Sequence, residues 1–136
     1  MNSVKEWLSR AMGIDSEIAV LESELRSASG RVYIGIRYGD KIQSGKTNST
    51  EEAVNTYMKY SDKLMEKLQE LYVVKTEIAL AIFKVPDSRY RTLLELYYLK
   101  KLTWEKVAEE MHIDVRHIYR LHGEALKGIK ETTEIV

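Results

Sequence analysis

Apolar residues recur near the start of the chain at intervals of three and four: Val4, Trp7, Ala11, Ile14, Ile18, Leu21, Leu25 and Ala28. An α-helix gathers such positions on one stripe, and a spacing held for more than three heptads is that of a coiled-coil seam. Ser3 with Glu6 three residues later reads as a capping box, so the pattern predicts a helix over about 4–28. Gly13 interrupts it at a cost of roughly 1 kcal/mol relative to alanine, and Gly30 offers a left-handed C-terminal stop. A second run begins after Ser49, with Glu52 three places on, and meets no strong breaker before Pro86. Its seam reads Val54, Tyr57, Ser61, Leu64, Leu68, Leu71, Ile78 and Ile82, with Lys75 as the misfit. It predicts a helix over about 50–85. At about 1.5 Å per residue the two helices span roughly 37 Å and roughly 52 Å, so in an antiparallel pair the end of the second overhangs. That end, VVKTEIALAIF, is apolar on more than one face and is expected to pack on the C-terminal segment, on a second subunit, or on both.

Between these helices, over about 30–49, lies a loop of about twenty residues read from RVYIGIRYGDKIQSGKTNST (31–50), longer than compact domains usually carry without a purpose. Val32, Ile34 and Ile36 alternate, which leaves open a short strand or an extension of the first helix. After Pro86 the pattern shortens. Asp87 and Ser88 are placed to cap a third helix through Tyr90, Leu93, Leu94, Tyr97 and Tyr98, with a break near Lys100 to Thr103. The expected fold is all-α: a long antiparallel, coiled-coil-like hairpin over 1–85, then a small helix-turn-helix domain over 86–136.

The helix-turn-helix expectation rests on Thr103 and Asp114 as caps. Thr103 opens a short helix from Trp104 to Met111 and Asp114 opens the next, with only His112 and Ile113 between them. Ala108 is small where the helices cross, Ile113 fills the turn, and Ile118, Leu121 and Ala125 face inward beside Val107 and Met111. The helical period then turns Val115, Arg116, Tyr119 and Arg120 outward at the start of a helix running from Asp114 to about Lys130, where recognition helices meet base edges. Arginine can hold guanine O6 and N7 with two hydrogen bonds, which makes Arg116 and Arg120 the leading base-reading candidates. His117, Lys127 and the amides around Asp114 are better suited to phosphates.

Composition qualifies this picture. The chain has 136 residues with 44% apolar and 31% charged, one proline and seven glycines, the profile of a folded, helix-rich protein. Its formal net charge is zero, whereas DNA binders usually carry a basic excess. Distribution softens that objection: residues 2–29 hold three basic and five acidic groups, 30–49 four and one, and Asp114 to Lys130 four and two. Cysteine is absent, which removes disulfides, thiol catalysis and cysteine-held zinc, and fits a reducing cytoplasm. No signal peptide is expected at MNSVKEWLSR, and no run has the length of a membrane span. His112, His117 and His122 recur every five residues, a rotation of about 140° on a helix that keeps them from converging on a metal. In GDKIQSGKT the glycine that a phosphate-binding loop needs five residues before Gly45 is replaced by Asp40. No cofactor and no enzymatic activity are expected.

The stretch YRTLLELYYLKKLTWEKVAEEMHIDVRHIYRLHGEALKGI resembles the C-terminal part of small phage and prophage transcription regulators of the ArpU and RinA type, which are similar to region four of bacterial sigma factors. TWEKVAEEM and the run Tyr119, Leu121, His122, Ala125, Leu126 carry the resemblance. It implies that Val115, Arg116 and Arg120 read promoter bases, that His117 and Tyr119 meet the DNA backbone, and that His112 stands where relatives have glycine. The expected function is sequence-specific binding of promoter or operator DNA in a bacterial cytoplasm, as an activator of phage genes. Tyr60, Tyr72, Val73, Leu80 and Phe83 exceed what one antiparallel partner covers, so a homo-oligomer, with a dimer favoured, is expected, and the hairpin pairs subunits or docks on RNA polymerase. The rival readings are a protein-interaction adaptor without DNA binding and a DNA-packaging component similar to a small terminase subunit.

Overall fold

The computed structural model describes residues 2–42 and 48–135. The chain is all-α, a long antiparallel helical hairpin followed by a helix-turn-helix domain. Its helices are α1 (Asn2–Leu8), α2 (Arg10–Ile42), α3 (Asn48–Phe83), α4 (Ser88–Leu94), α5 (Trp104–Met111) and α6 (Val115–Thr132), with a π-helical turn at Glu95–Leu99 after α4.

The first long helix differs from the expected 4–28 at both ends. It is broken at Ser9, where the Trp7 carbonyl accepts a hydrogen bond from Arg10 Nε at 2.9 Å and the Arg10 guanidinium lies 4.6 Å over the Trp7 ring. A side chain inserted into the backbone ladder is a recognised cause of a kink. At the other end the helix passes through Gly30 to Ile42 instead of stopping. The seam explains this, because Ala28 is followed by Val32 and Gly35 at the same spacing of four and three, and burial along it outweighs one glycine. Residues 31–42 are therefore helix, not loop. The segment 43–47, including Gly45, Lys46 and Thr47 of the loop motif, lies outside the described residues. Ser3 and Ser49, expected as caps, fall inside the first turns of α1 and α3. α3 ends at Phe83 instead of residue 85: Val85 N–H turns back to the Ile82 carbonyl at 3.0 Å, ahead of Pro86.

The expected seam of α3 holds at Tyr57, Ser61, Leu64, Leu71, Ile78 and Ile82, which are buried or half-buried, and fails at Val54 and Leu68. Ala53, Tyr57, Tyr60, Leu64, Lys67, Leu71, Val74, Ile78 and Ala81 are buried or half-buried, whereas Val54 and Leu68 are exposed. The misfit at Lys75 disappears because Val74 takes the seam position. Lys67 takes the seam place expected for Leu68. Its stem lies inward while Nζ reaches Glu17 at 2.9 Å and Glu70 at 3.2 Å, and hydrogen bonds to these two carboxylates raise its pKa.

The chain forms two compact units, Met1–Ile14 with Leu71–Val136, and Asp15–Glu70. They do not divide at residue 85. In the second unit, Glu17 meets Lys67 near one end of the hairpin, and Gly35 meets Thr50 near the other. In the first unit, α1 packs on α6 with Val4 and Leu8 buried. Val74, Ile78, Ala81 and Ile82 of α3 are buried in the same unit. Arg91 Nη1 donates to the Val85 and Pro86 carbonyls at 2.6 and 2.7 Å, fixing the turn into α4. Asp87 caps α4 as expected, accepting from Arg89 N–H at 2.8 Å. Hydrogen bonds from the Arg89 side chain and backbone hold its carboxyl below the usual range. Among the described residues no helix is long and apolar enough to cross a membrane.

Two glycines of α2 should respond oppositely to alanine. A Cβ on Gly30 meets nothing, so Gly30→Ala is expected to stabilise the chain by about 0.5–1 kcal/mol. A Cβ on Gly35 would run into the Thr50 side chain, so Gly35→Ala is expected to destabilise it by about 1–3 kcal/mol. Urea titration followed by circular dichroism measures both; equal shifts of the same sign would contradict the close approach at Gly35.

Candidate nucleic-acid interface

α5 begins with a working cap: Thr103 Oγ1 accepts from Lys106 N–H at 3.2 Å. It ends in a left-handed residue, His112, at φ 57° and ψ 42°. Its N–H returns to the carbonyls of Ala108 and Glu109, and Ile113 N–H bonds to Ala108 O at 3.0 Å. These closing bonds satisfy the orphan carbonyls of the helix end. Glycine is the usual occupant of such a position and histidine one of the better-tolerated substitutes. Asp114 stands at the N-cap of α6, but its side chain makes no cap hydrogen bond. Only its carbonyl serves the helix, accepting from His117 and Ile118 at 2.9 and 3.1 Å. The capping role expected for the Asp114 carboxylate is thus not filled.

α6 is sharply two-sided. Ile118, Leu121, His122, Ala125, Leu126 and Ile129 are buried. Arg116, Arg120 and Lys127 are exposed and, at about 100° per residue, lie within a stripe roughly 40° wide directly opposite that core. Of the other candidates, Val115 is half-buried, and His117 and Tyr119 are exposed on the flanks. The structure joins two candidates directly, since the Arg120 guanidinium donates to His117 Nε2. Of the acidic groups beside the stripe, Glu124 accepts from the Tyr90 hydroxyl, and Glu131 is exposed one turn past Lys127.

An aromatic cluster sets the angle between α5 and α6, and sequence reasoning did not find it. Trp104 stacks on Tyr97 with ring centroids 3.7 Å apart and planes 8° from parallel. On its other sides it meets His122 at 4.5 Å and the edge of Tyr119 at 6.0 Å. Tyr119, expected to face only outward, is therefore 52% exposed and partly engaged. Beneath the stack, the Tyr98 hydroxyl and His122 Nε2 share a buried hydrogen bond of 2.7 Å. Burial pushes the Tyr98 phenol pKa up. Burial, and then the nearby charge of Lys5, pulls His122 down to about 4, so both groups are neutral near pH 7. The only available signal was the clustering of Tyr97, Tyr98 and Trp104 around a helix break.

Residues 31–130 match the model of a family described as a protein of unknown function (DUF1492). The chain belongs to this family. The matched segment runs from the second half of α2 through nearly all of α6, so the DUF1492 model spans the candidate interface and most of the hairpin. No curated protein and no solved structure matches the chain.

Relief of the left-handed strain should make His112→Gly more stable than the parent by up to about 1 kcal/mol, whereas His112→Val should be less stable; thermal melts of the pair check the sign. The His122 shift implies a second effect. Between pH 6.5 and 4 the unfolded chain takes up a proton at His122 that the folded chain resists, so stability present above about pH 6.5 is lost as the pH falls, by up to about 3 kcal/mol. Denaturant titrations at pH 7.5 and 5 should show this loss in the parent and a smaller one in His122→Gln.

Proposed function

We propose that the chain binds promoter or operator DNA through α6, as a phage or prophage transcription regulator acting in a bacterial cytoplasm. The observation that carries the reading is the stripe of Arg116, Arg120 and Lys127 set opposite the buried face of a helix that enters from a three-residue turn. In the major groove, Arg116 and Arg120 read base edges, Val115 contributes an apolar contact, and His117, Tyr119 and Lys127 meet the backbone. Diversion of Glu124 to Tyr90 favours the same use, because it draws a negative charge away from the phosphate-facing side. The likeness to ArpU- and RinA-type regulators supports it independently of the geometry. With a formal net charge of zero, phosphate contacts from one copy are few. Binding then depends on a second copy or on contact with RNA polymerase to add affinity. Catalysis has no part in this reading.

The test uses duplexes selected from a random pool by the full-length chain. Arg116→Ala with Arg120→Ala should lower affinity for the selected site by at least about tenfold, at about 1–3 kcal/mol for each lost bidentate contact, with the far-ultraviolet spectrum unchanged. Lys127→Ala should weaken all duplexes alike and reduce the salt slope by about one. Unchanged affinity in the double variant, or no shifted duplex at any salt, would remove the DNA reading and leave that of a protein adaptor.

A further inference from the structure

The last turns of α3, which belong to the unit containing α4 to α6, are apolar on two sides. One side is the buried row of Val74, Ile78, Ala81 and Ile82. The other is exposed: Tyr72 at 71%, Leu80 at 62% and Phe83 at 81%, with Val73 at 48%. Packing against one layer calls for a stripe about 100° wide, and these turns exceed it. Two small residues lie along the exposed side, Thr76 and Ala79. The Thr76 hydroxyl donates to the Tyr72 carbonyl at 2.8 Å, so its hydrogen bonding is met within the helix and the position accepts an apolar neighbour.

The order along this face is Tyr72, Thr76, Ala79, Phe83: large, small, small, large, at spacings of four, three and four. It reads the same in both directions. An interface with two-fold symmetry requires such self-complementarity, since each contact must occur twice. An antiparallel copy of the helix sets Tyr72 against Phe83 and Thr76 against Ala79, and brings Val73 beside Leu80. The small residues fall at the crossing, where backbones approach most closely. Charge beside the face is light: Glu77 is already paired with Arg10 at 3.5 Å, and Lys75 lies on the flank away from Val73 and Leu80.

We propose that this face is the seat of a second copy of the chain, forming an antiparallel dimer through the end of α3. The proposal deepens the promoter-binding reading, which calls for two copies, and rests on it for its purpose; its physical basis is the helix face. The exposed apolar area is on the order of 400 Å² per copy, below the roughly 800 Å² that one partner of a standard interface buries, which places the dimer in the weak class. Two half-sites on one duplex then hold the copies together at high effective concentration.

Sedimentation of the full-length chain without DNA, from about 1 µM to about 200 µM, should show a monomer–dimer equilibrium with a micromolar Kd. Leu80→Glu with Phe83→Glu should weaken it at least tenfold while leaving the circular dichroism spectrum unchanged, both side chains being exposed. Because the chain has no cysteine, a mixture of Thr76→Cys and Ala79→Cys chains reports the register: it should form a disulfide-linked dimer faster than either variant alone, and Lys130→Cys should not. A chain that stays monomeric throughout overturns the proposal and leaves the face to a helix of another protein. So does an oligomer whose mass is unaffected by the two glutamates, which puts the interface elsewhere. Since mass is read without DNA, a dimer that shifts no duplex refutes only the promoter reading, and a monomer that shifts one refutes only the dimer face.

Discussion

The arrangement of the C-terminal helices depends on Trp104. Placed at the first position of α5, its indole stacks on Tyr97, which precedes the helix, and abuts His122 and Tyr119 of α6, which follows it. Two helices joined by three residues can hinge about the turn unless a second contact fixes them elsewhere. His112 sets the geometry at the turn itself, and Trp104 sets it at the far end of α5. With both in place, the stripe of Arg116, Arg120 and Lys127 has one orientation relative to α5. Any ligand that the stripe takes by hydrogen bonds must meet side chains held within bonding tolerance, so this fixation precedes any chemistry on the stripe.

Trp104 finds its partners because the preceding helix ends in a π turn. Lys100 N–H reaches back five residues to Glu95 at 3.0 Å and Leu102 N–H six residues to Leu96 at 3.1 Å. Widened turns of this kind are uncommon and concentrate where a helix has a task beyond length. Here the widening accompanies the presentation of two consecutive tyrosines to two neighbours, Trp104 and His122. Tyr97 supplies a ring for stacking and Tyr98 a hydroxyl for His122, their own rings packed edge to face at 4.9 Å. The chain leaves the turn through Lys101, which takes a left-handed conformation at φ 59°.

The parts of this architecture that could be read from sequence are those written in short-range spacing. The helix-turn-helix is one, since Thr103, the inward set Val107, Ala108, Ile118, Leu121 and Ala125, and the placement of His112 all lie within one stretch of the chain. The buried row of α3 was legible in period and, except at Val54 and Leu68, in register. Leu68 was expected in the seam, yet the stem of Lys67 is the part that packs and its ammonium escapes to two glutamates. Gly30 looked like a stop because glycine at a helix end is common; the stripe continuing through Val32 and Gly35 carried more weight than that single residue. The Trp104 cluster, the π turn and the packing of α1 on α6 arise from contacts between distant residues or from a change in helical winding, and no periodicity encodes them.

The division of the chain into units has a topological consequence. One unit is built from both ends of the described chain, and the other, Asp15–Glu70, interrupts it. The ion pair of Glu17 with Lys67 shows that the interrupting segment leaves and returns at nearly the same place. In folding, a hairpin closed locally shortens the effective span over which α1 must find α6. In evolution, a segment whose two ends meet is a permissive place for length variation. Adding or removing a heptad from both of its helices would preserve the seam and leave the unit that carries α6 as it is.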